Sequence, residues 1–210
     1  MRHSVEGLLG AQVAMLAAQE RDPDNPAYLL KSVTWIDGPD IDVEALRRAV
    51  INTSAEVSVL RGIIHRRDDG TVVHIPDRVD PGSNLQTADF SDADDPEAAF
   101  RAWFDGELSE GVPLFDGVLA RHAVVRIGPD RIGHATVFQH IAIDGYAGFL
   151  LTRRVVDLYR CYRDGEPATP TPFTDHRIAA DAEEPTTATT RDFWTEYLSR
   201  SEERRVGKEC

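Results

Sequence analysis

Apolar residues recur at helical spacing through Leu8, Leu9, Val13, Leu16 and Ala17 and stop at the breaker run Asp22, Pro23, Asn25 and Pro26. This predicts a first helix near residues 4 to 20, lying on the core by its Leu8/Met15 side. Leu29 to Ile36 alternates, is rich in β-formers and ends at Gly38-Pro39, so it predicts a strand; Asp42 then N-caps a helix carrying Val43, Leu46 and Val50 on one face. Leu60 to His65 and Thr71 to Ile75, joined by Asp68-Asp69-Gly70, predict a β-hairpin, and residues 79 to 94 an acidic, irregular connection. Asp95-Pro96 starts a helix with Ala99, Trp103 and Leu108 as its apolar stripe, running to Gly111. Val118 to Ile127 and Ile132 to Gln139 predict two strands separated by Gly128-Pro129-Asp130. From Tyr146 to Arg163 the spacing of Leu151, Val155, Leu158 and Tyr162 predicts an amphipathic helix stopped at Asp164-Gly165. Residues 165 to 190 lack apolar period and predict a surface connection before a short helix containing Phe193, Trp194 and Leu198.

The fold class this order implies is α/β: a two-layer sandwich in which a mixed β-sheet packs against helices. At 210 residues and 41% hydrophobic, the chain is long enough for one sizeable core. The expected organisation is one domain over residues 1–199 followed by a polar tail, 200–210. That tail, RSEERRVGKEC, resembles the translation of a ligated sequencing-library adapter, so it is expected to be non-native and is set aside from the fold.

Charge narrows the choice of partners. The 23 Lys and Arg against 36 Asp and Glu give a formal charge of −13, which repels nucleic acid and anionic membrane. Cys161 and Cys210 show no CxxC or Cys/His spacing, so neither a disulfide framework nor a metal site is expected. The N-terminal apolar stretch is broken at Gly10 and Gln12 and has no small-residue cleavage site, and no segment is long enough to span a bilayer. A cytoplasmic location is the default expectation.

Candidate chemistry concentrates in QHIAIDG, Gln139 to Gly145, between the last long strand and the amphipathic helix. There the HxxxDG spacing sets His140 at a strand end and Asp144 where its carboxylate caps a helix or pairs with a cation. A lone histidine is more often a turn or core residue with a satisfied hydrogen bond. By two-residue alternation His134, Thr136 and Phe138 share the face opposite Gln139, and His134 reads as an ordinary strand residue.

This motif resembles the HHxxxDG motif of condensation domains of nonribosomal peptide synthetases, in the chloramphenicol acetyltransferase-like superfamily. Further landmarks follow in the family's order. GAQVAM at Gly10 to Met15 resembles its first motif with the Ala-Gln pair, and AEVSVLRGII at Ala55 to Ile64 its second with Leu-Arg. VPLFDGVL at Val112 to Leu119 is similar to the strand approach before the active site, and RDFWTEYL at Arg191 to Leu198 to the segment before the crossover into the second half. The departure is Gln139, where the family has the first His of its pair; glutamine hydrogen-bonds but cannot titrate.

The resemblance implies the N-terminal lobe of a two-lobed acyltransferase that forms an amide between thioesters carried on the phosphopantetheine of carrier proteins, with no cofactor bound directly. Adjacent adenylation and carrier domains of the same synthetase are the implied partners. It makes His140 the catalytic residue, taking a proton from or holding an α-amine whose reference pKa is about 7.7–8. It gives Asp144 a structural role, an ion pair with an Arg that fixes the loop, and Gly145 either an N–H for the developing oxyanion or a turn that needs glycine. Gln139 and Arg61 are supporting residues, although an exposed strand arginine is the commoner reading of Arg61. With one lobe, the isolated chain is expected to be inactive. Two alternatives stay open: another HxxxDG acyltransferase using coenzyme A or an epimerisation domain, and a degenerate, non-catalytic platform that docks carrier proteins.

Overall fold

The computed structural model describes residues 6–23, 25–70, 72–75, 79–110, 112–174 and 187–199. The chain divides into two units, 1–176 and 177–210. The expected tail, 200–210, lies outside the described residues, as do residues 175–186 of the 165–190 connection and Gly111.

The first unit runs β1 (Glu6–Gly7), α1 (Gly10–Gln19), β2 (Leu29–Asp37), α2 (Val43–Glu56), β3 (Ile63–Arg66), β4 (Val72–Ile75), β5 (Leu85–Asp89), α3 (Pro96–Trp103), β6 (Ala120–Gly128), β7 (Arg131–Gln139) and α4 (Gly145–Arg163). Four strands form a mixed sheet in the order β2-β7-β6-β5, with β5 parallel to β6 and the other pairs antiparallel. A smaller antiparallel sheet has the order β1-β4-β3. A mixed sheet packed against helices is therefore the architecture, as the pattern predicted.

Three of the helices, α2, α3 and α4, begin where carboxylates cap them. Asp42, Asp95 and Asp144 each have extended backbone, and each accepts the N–H of the residue three further on: Ala45 at 2.9 Å, Ala98 at 3.0 Å and Ala147 at 2.7 Å. On one face of the large sheet, Leu46, Ala49 and Val50 of α2 and Val155 and Leu158 of α4 bury against Val124 and Ile132. Phe100 of α3 and Leu108, in the π-helical turn that continues it over Phe104–Leu108, cover the other face over Val125, Ala135 and Val137. There Trp35 stands opposite Gly133 in the β2/β7 pair and meets Phe100 edge to face at 5.1 Å. A Cβ on Gly133 would lie 2.7 Å from the Trp35 ring, so the absent side chain is what lets the indole lie across the strand.

Three expectations change. The first helix is shorter than 4–20, because residues 6–7 pair with β4 as a strand; Leu16 and Gln19 are its buried positions, with Leu8 and Met15 only partly covered. The stretch 79–94 holds β5, which pairs in parallel with β6 and was unreadable as a strand from its five mixed residues. Arg61 sits in a 3₁₀ turn, Ser58–Arg61, ahead of the hairpin rather than in a strand.

Two polar features hold this core. Arg154, buried on α4, makes a two-pronged ion pair with Glu56 at the end of α2, with Nε 2.8 Å and Nη2 2.5 Å from its oxygens. The same guanidinium donates to the hydroxyl and carbonyl of Thr169 at 2.7 and 2.9 Å, tying down the chain beyond α4. The hydrogen bond that Arg154 donates to Glu56, more than the charge of Glu56 alone, raises the Arg154 pKa further above its already high value. The second feature is a buried pair, His122 on β6 and His134 on β7, with rings stacked 5.5 Å apart and His122 Nδ1 3.3 Å from His134 Nε2. Ser54 Oγ lies 3.4 Å from the other nitrogen of His122. Burial pushes His122 down to about 4, and burial with the His122 charge pushes His134 well below its ordinary value.

In the second unit the described residues form α5 (Ala188–Ser199), whose Phe193, Trp194 and Tyr197 rings touch one another and are exposed. Among the described residues no helix is long and apolar enough to cross a membrane.

Both polar features make predictions. Arg154→Ala strands the Glu56 carboxylate and is expected to lower unfolding free energy by about 3–5 kcal/mol in urea melts; a loss under about 1 kcal/mol would mean that the pair is solvent-screened. Because the two histidines are neutral when folded and titrate at about 6.5 when unfolded, stability is full above pH ~6.5 and falls as pH drops toward about 4. Each excluded proton contributes about 1.4 kcal/mol per pH unit over that window. Urea midpoints that stay level from pH 7.5 to 5 would contradict this.

Candidate active site

The site is the stretch where β7 gives way to α4. The antiparallel ladder between β2 and β7 is unbroken from Asp37/Arg131 to Leu29/Gln139. It continues for one more rung, because the His140 N–H donates to the Tyr28 carbonyl at 2.8 Å. His140 therefore stands just past the last strand residue, with its main chain fixed by the sheet.

The imidazole itself is held differently. Its Nδ1 is sealed from solvent and has no hydrogen-bond partner among the described residues. The residue as a whole is only half-buried, and Nε2 is not among the sealed, unpartnered atoms. A buried, unpaired ring nitrogen costs stability, and such groups in native structures call for an explanation in function.

Gln139 lies on the opposite side of the strand and is buried. Its Nε2 donates to the Val112 carbonyl at 2.5 Å, and its Oε1 accepts from Gln19 Nε2 at 3.1 Å. Both ends of the amide are used, so the glutamine fits its surroundings without being able to titrate.

Beyond His140 the chain turns through Ile141 and Ala142, with the Ala142 N–H on the Gln139 carbonyl at 3.0 Å and Ile141 and Ile143 buried. Gln12 of α1 reaches this turn: its Nε2 donates to the Ile141 carbonyl at 3.2 Å while its Oε1 accepts the Leu9 N–H at 3.0 Å. The Ala-Gln segment and the HxxxDG segment, 129 positions apart, are thus in direct contact. Asp144 is the exposed N-cap of α4 and makes no ion pair among the described residues, so capping is the role the structure gives it. Gly145 is the first residue of α4; its φ is not in the left-handed region, and a Cβ there would meet nothing within 4 Å. A strained turn is therefore not why glycine stands here; its absent side chain leaves open space beside the helix N-terminus.

Arg61 is placed at the far end of α2, where Nε and Nη2 donate to the carbonyls of Ser54 and Ala55, each at 3.1 Å. It satisfies carbonyls left open at a helix end. Two cavities flank the motif. One of about 300 Å³ lies between β2 and α4, lined by Leu30, Ser32, Phe138, Gly145 and Phe149. The other, about 690 Å³, opens on the Gln139 side and includes Gln19, Tyr28, Val112 and Phe115. Neither of these two includes His140 in its wall.

The residue that sequence reasoning passed over is Gln19. Its signal was present: a glutamine inside the apolar stripe of a predicted helix, where a buried polar side chain is the informative case.

Comparison with known proteins agrees with this geometry. The condensation domain family matches residues 5–205. The chain is 31% identical over 200 residues to an isonitrile lipopeptide synthase of Streptomyces coeruleorubidus, covering 91% of this chain and 13% of that protein. It is 29% identical over 202 residues to a dimodular nonribosomal peptide synthase of Bacillus subtilis (strain 168), covering 91% of this chain and 8% of that one. Among solved structures, the starter condensation domain of rhizomide synthetase RzmA superposes with a TM-score of 0.77 at 25% identity, over 92% of this chain and 48% of its own. The first condensation domain of the calcium-dependent antibiotic synthetase, in complex with a substrate analogue, gives 0.75 at 28% identity, over 94% and 48%. The chain thus spans about half the length of the solved domains it matches and a small part of its curated relatives. With the sheet and the matched span in agreement, the chain belongs to the condensation domain family.

Proposed function

We propose that this chain forms the His140-bearing half of a condensation centre that makes an amide bond between two carrier-bound thioesters in nonribosomal peptide synthesis. The observation that carries the reading is the state of His140: main chain locked to β2, Nδ1 sealed, the residue as a whole half-buried. Family membership supports the same chemistry.

A thioester is already an activated acyl group, so the protein's share of the work is to hold two substrates together and move one proton. The acceptor amine attacks the thioester carbonyl, an N–C bond forms, and the C–S bond breaks to release a thiolate. His140 Nε2 accepts the proton that the amine loses on attack, and the thiolate leaves with a proton from the medium or from that imidazolium. Asp144 shapes the loop by capping α4, and the space above Gly145 leaves room for a substrate arm to pass the helix N-terminus. Donor and acceptor arms come from phosphopantetheine-bearing carrier proteins, with adenylation domains of the same synthetase supplying the acceptor. Gln139 does not titrate and serves by its hydrogen bonds. Alone, the 210-residue chain presents one side of the channel and is expected to lack activity.

The test is amide formation in the synthetase module that contains this chain, with donor and acceptor loaded on carrier proteins. His140→Ala is expected to lower the rate by at least about 10²-fold, the share of a positioned general base, whereas Gln139→Ala retains measurable product. Wild-type rates in the His140→Ala enzyme would reject His140 chemistry and favour a carrier-docking platform.

A further inference from the structure

We infer that α1 is a splint for the active-site histidine, and that Gln12 and Gln19 are its two positioning residues, gripping the chain on either side of His140. Gln12, Leu16 and Gln19 follow at i, i+4 and i+7 and so share one face of the helix, spanning about 10 Å along its axis. Each meets the motif. Gln12 donates to the Ile141 carbonyl, Leu16 packs in one buried cluster with Ile141, and Gln19 donates to the Gln139 side chain. The residues gripped, 139 and 141, are the immediate neighbours of His140.

The orientation of both amides follows from their partners. A carbonyl only accepts, so Val112 requires Nε2 of Gln139 to face it; Oε1 then faces α1 and requires a donor there, which is Gln19 Nε2. Likewise the Leu9 N–H takes Gln12 Oε1, which leaves Nε2 for Ile141. Gln19 Oε1 is buried without a partner among the described residues. An apolar side chain at that position would remove this orphan but would strip the buried Gln139 Oε1 of its donor. What glutamine adds is the donor to Gln139. Among the described residues the imidazole has no hydrogen bond at Nδ1, so no side-chain bond there anchors the ring independently of its backbone. With the Tyr28 carbonyl on the His140 N–H, that backbone is held from β2 and from α1 together. Gln139 is the receiving end of this grip, which gives a non-titrating residue at that position a defined task.

The inference rests on His140 being the working residue, but it is tested without activity. In the full chain carrying labelled histidine, the Cε1–Hε1 NMR signal of His140 is assigned by its disappearance in His140→Gln. Gln12→Glu and Gln19→Glu keep side-chain size and acceptor oxygens while removing the donating NH₂ group, so they spare the packing that alanine would lose. Each is expected to shift and broaden the His140 signal, and the double variant to do so most. The His65 signal, from a ring held by Asp116 at 2.5 Å, stays in place as the mark of an intact fold. Val50→Ala, which removes buried methyl groups between α2 and the sheet, is expected to lower stability and leave the His140 signal unmoved. A His140 signal that coincides in wild type and both glutamate variants, or that moves as much in Val50→Ala, would overturn the splint. Neither result bears on amide formation by His140, which the His140→Ala assay decides separately.

Discussion

The candidate site depends on β7 being paired on both sides along its length. β2 and β6 flank it, both antiparallel, and its residues from Ile132 to Gln139 are buried. A strand held this way cannot slip by one residue without turning its whole core set to the wrong face. The two-residue period then puts Phe138 toward Leu60 and Leu151 of α4 and Gln139 toward Val112, and the ladder's last rung, Tyr28 to His140, delivers the histidine at the strand end. Everything further along the motif is positioned from that fixed end.

Several core positions around this strand are polar, and each is matched to a partner differently. Arg154 and Glu56 are both charged and joined by two hydrogen bonds, so their burial is compensated and α2, α4 and the chain beyond are bound together. His122 and His134 are uncharged and share a ring-to-ring contact, which leaves a core that tolerates neutral imidazoles and resists protons. Gln139 and Gln19 form an amide chain ending in an oxygen without a partner among the described residues. The first two serve the fold. The third includes Gln139, the residue before His140, and is the arrangement on which the proposed placement of that histidine rests.

The roles within the motif separate cleanly on geometry. Asp144 is a cap, with its carboxylate on the Ala147 N–H. Arg61 closes α2 by its Ser54 and Ala55 carbonyls. Gly145 leaves room instead of making a turn. Each of the three acts at a helix end or leaves space, and none of these hydrogen bonds is made to His140.

Local features were legible in the sequence because their causes are local. Asp42, Asp95 and Asp144 cap helices through the N–H three residues on; the long strands β6 and β7 and the helix α4 declare themselves by their own periods. The HxxxDG motif was placed between a strand and a helix by those same periods. What the tertiary structure decided is whatever depends on partners far along the chain. β5 is a strand because β6 offers it a parallel edge, and α1 is shortened because residues 6–7 find β4. His134 becomes half of a buried pair only when β6 brings His122 beside it, and Gln19 becomes a donor to Gln139 across 120 positions. A side chain's type and spacing determine which bonds it is able to make; which of them it does make is settled only when packing brings distant partners within hydrogen-bond reach.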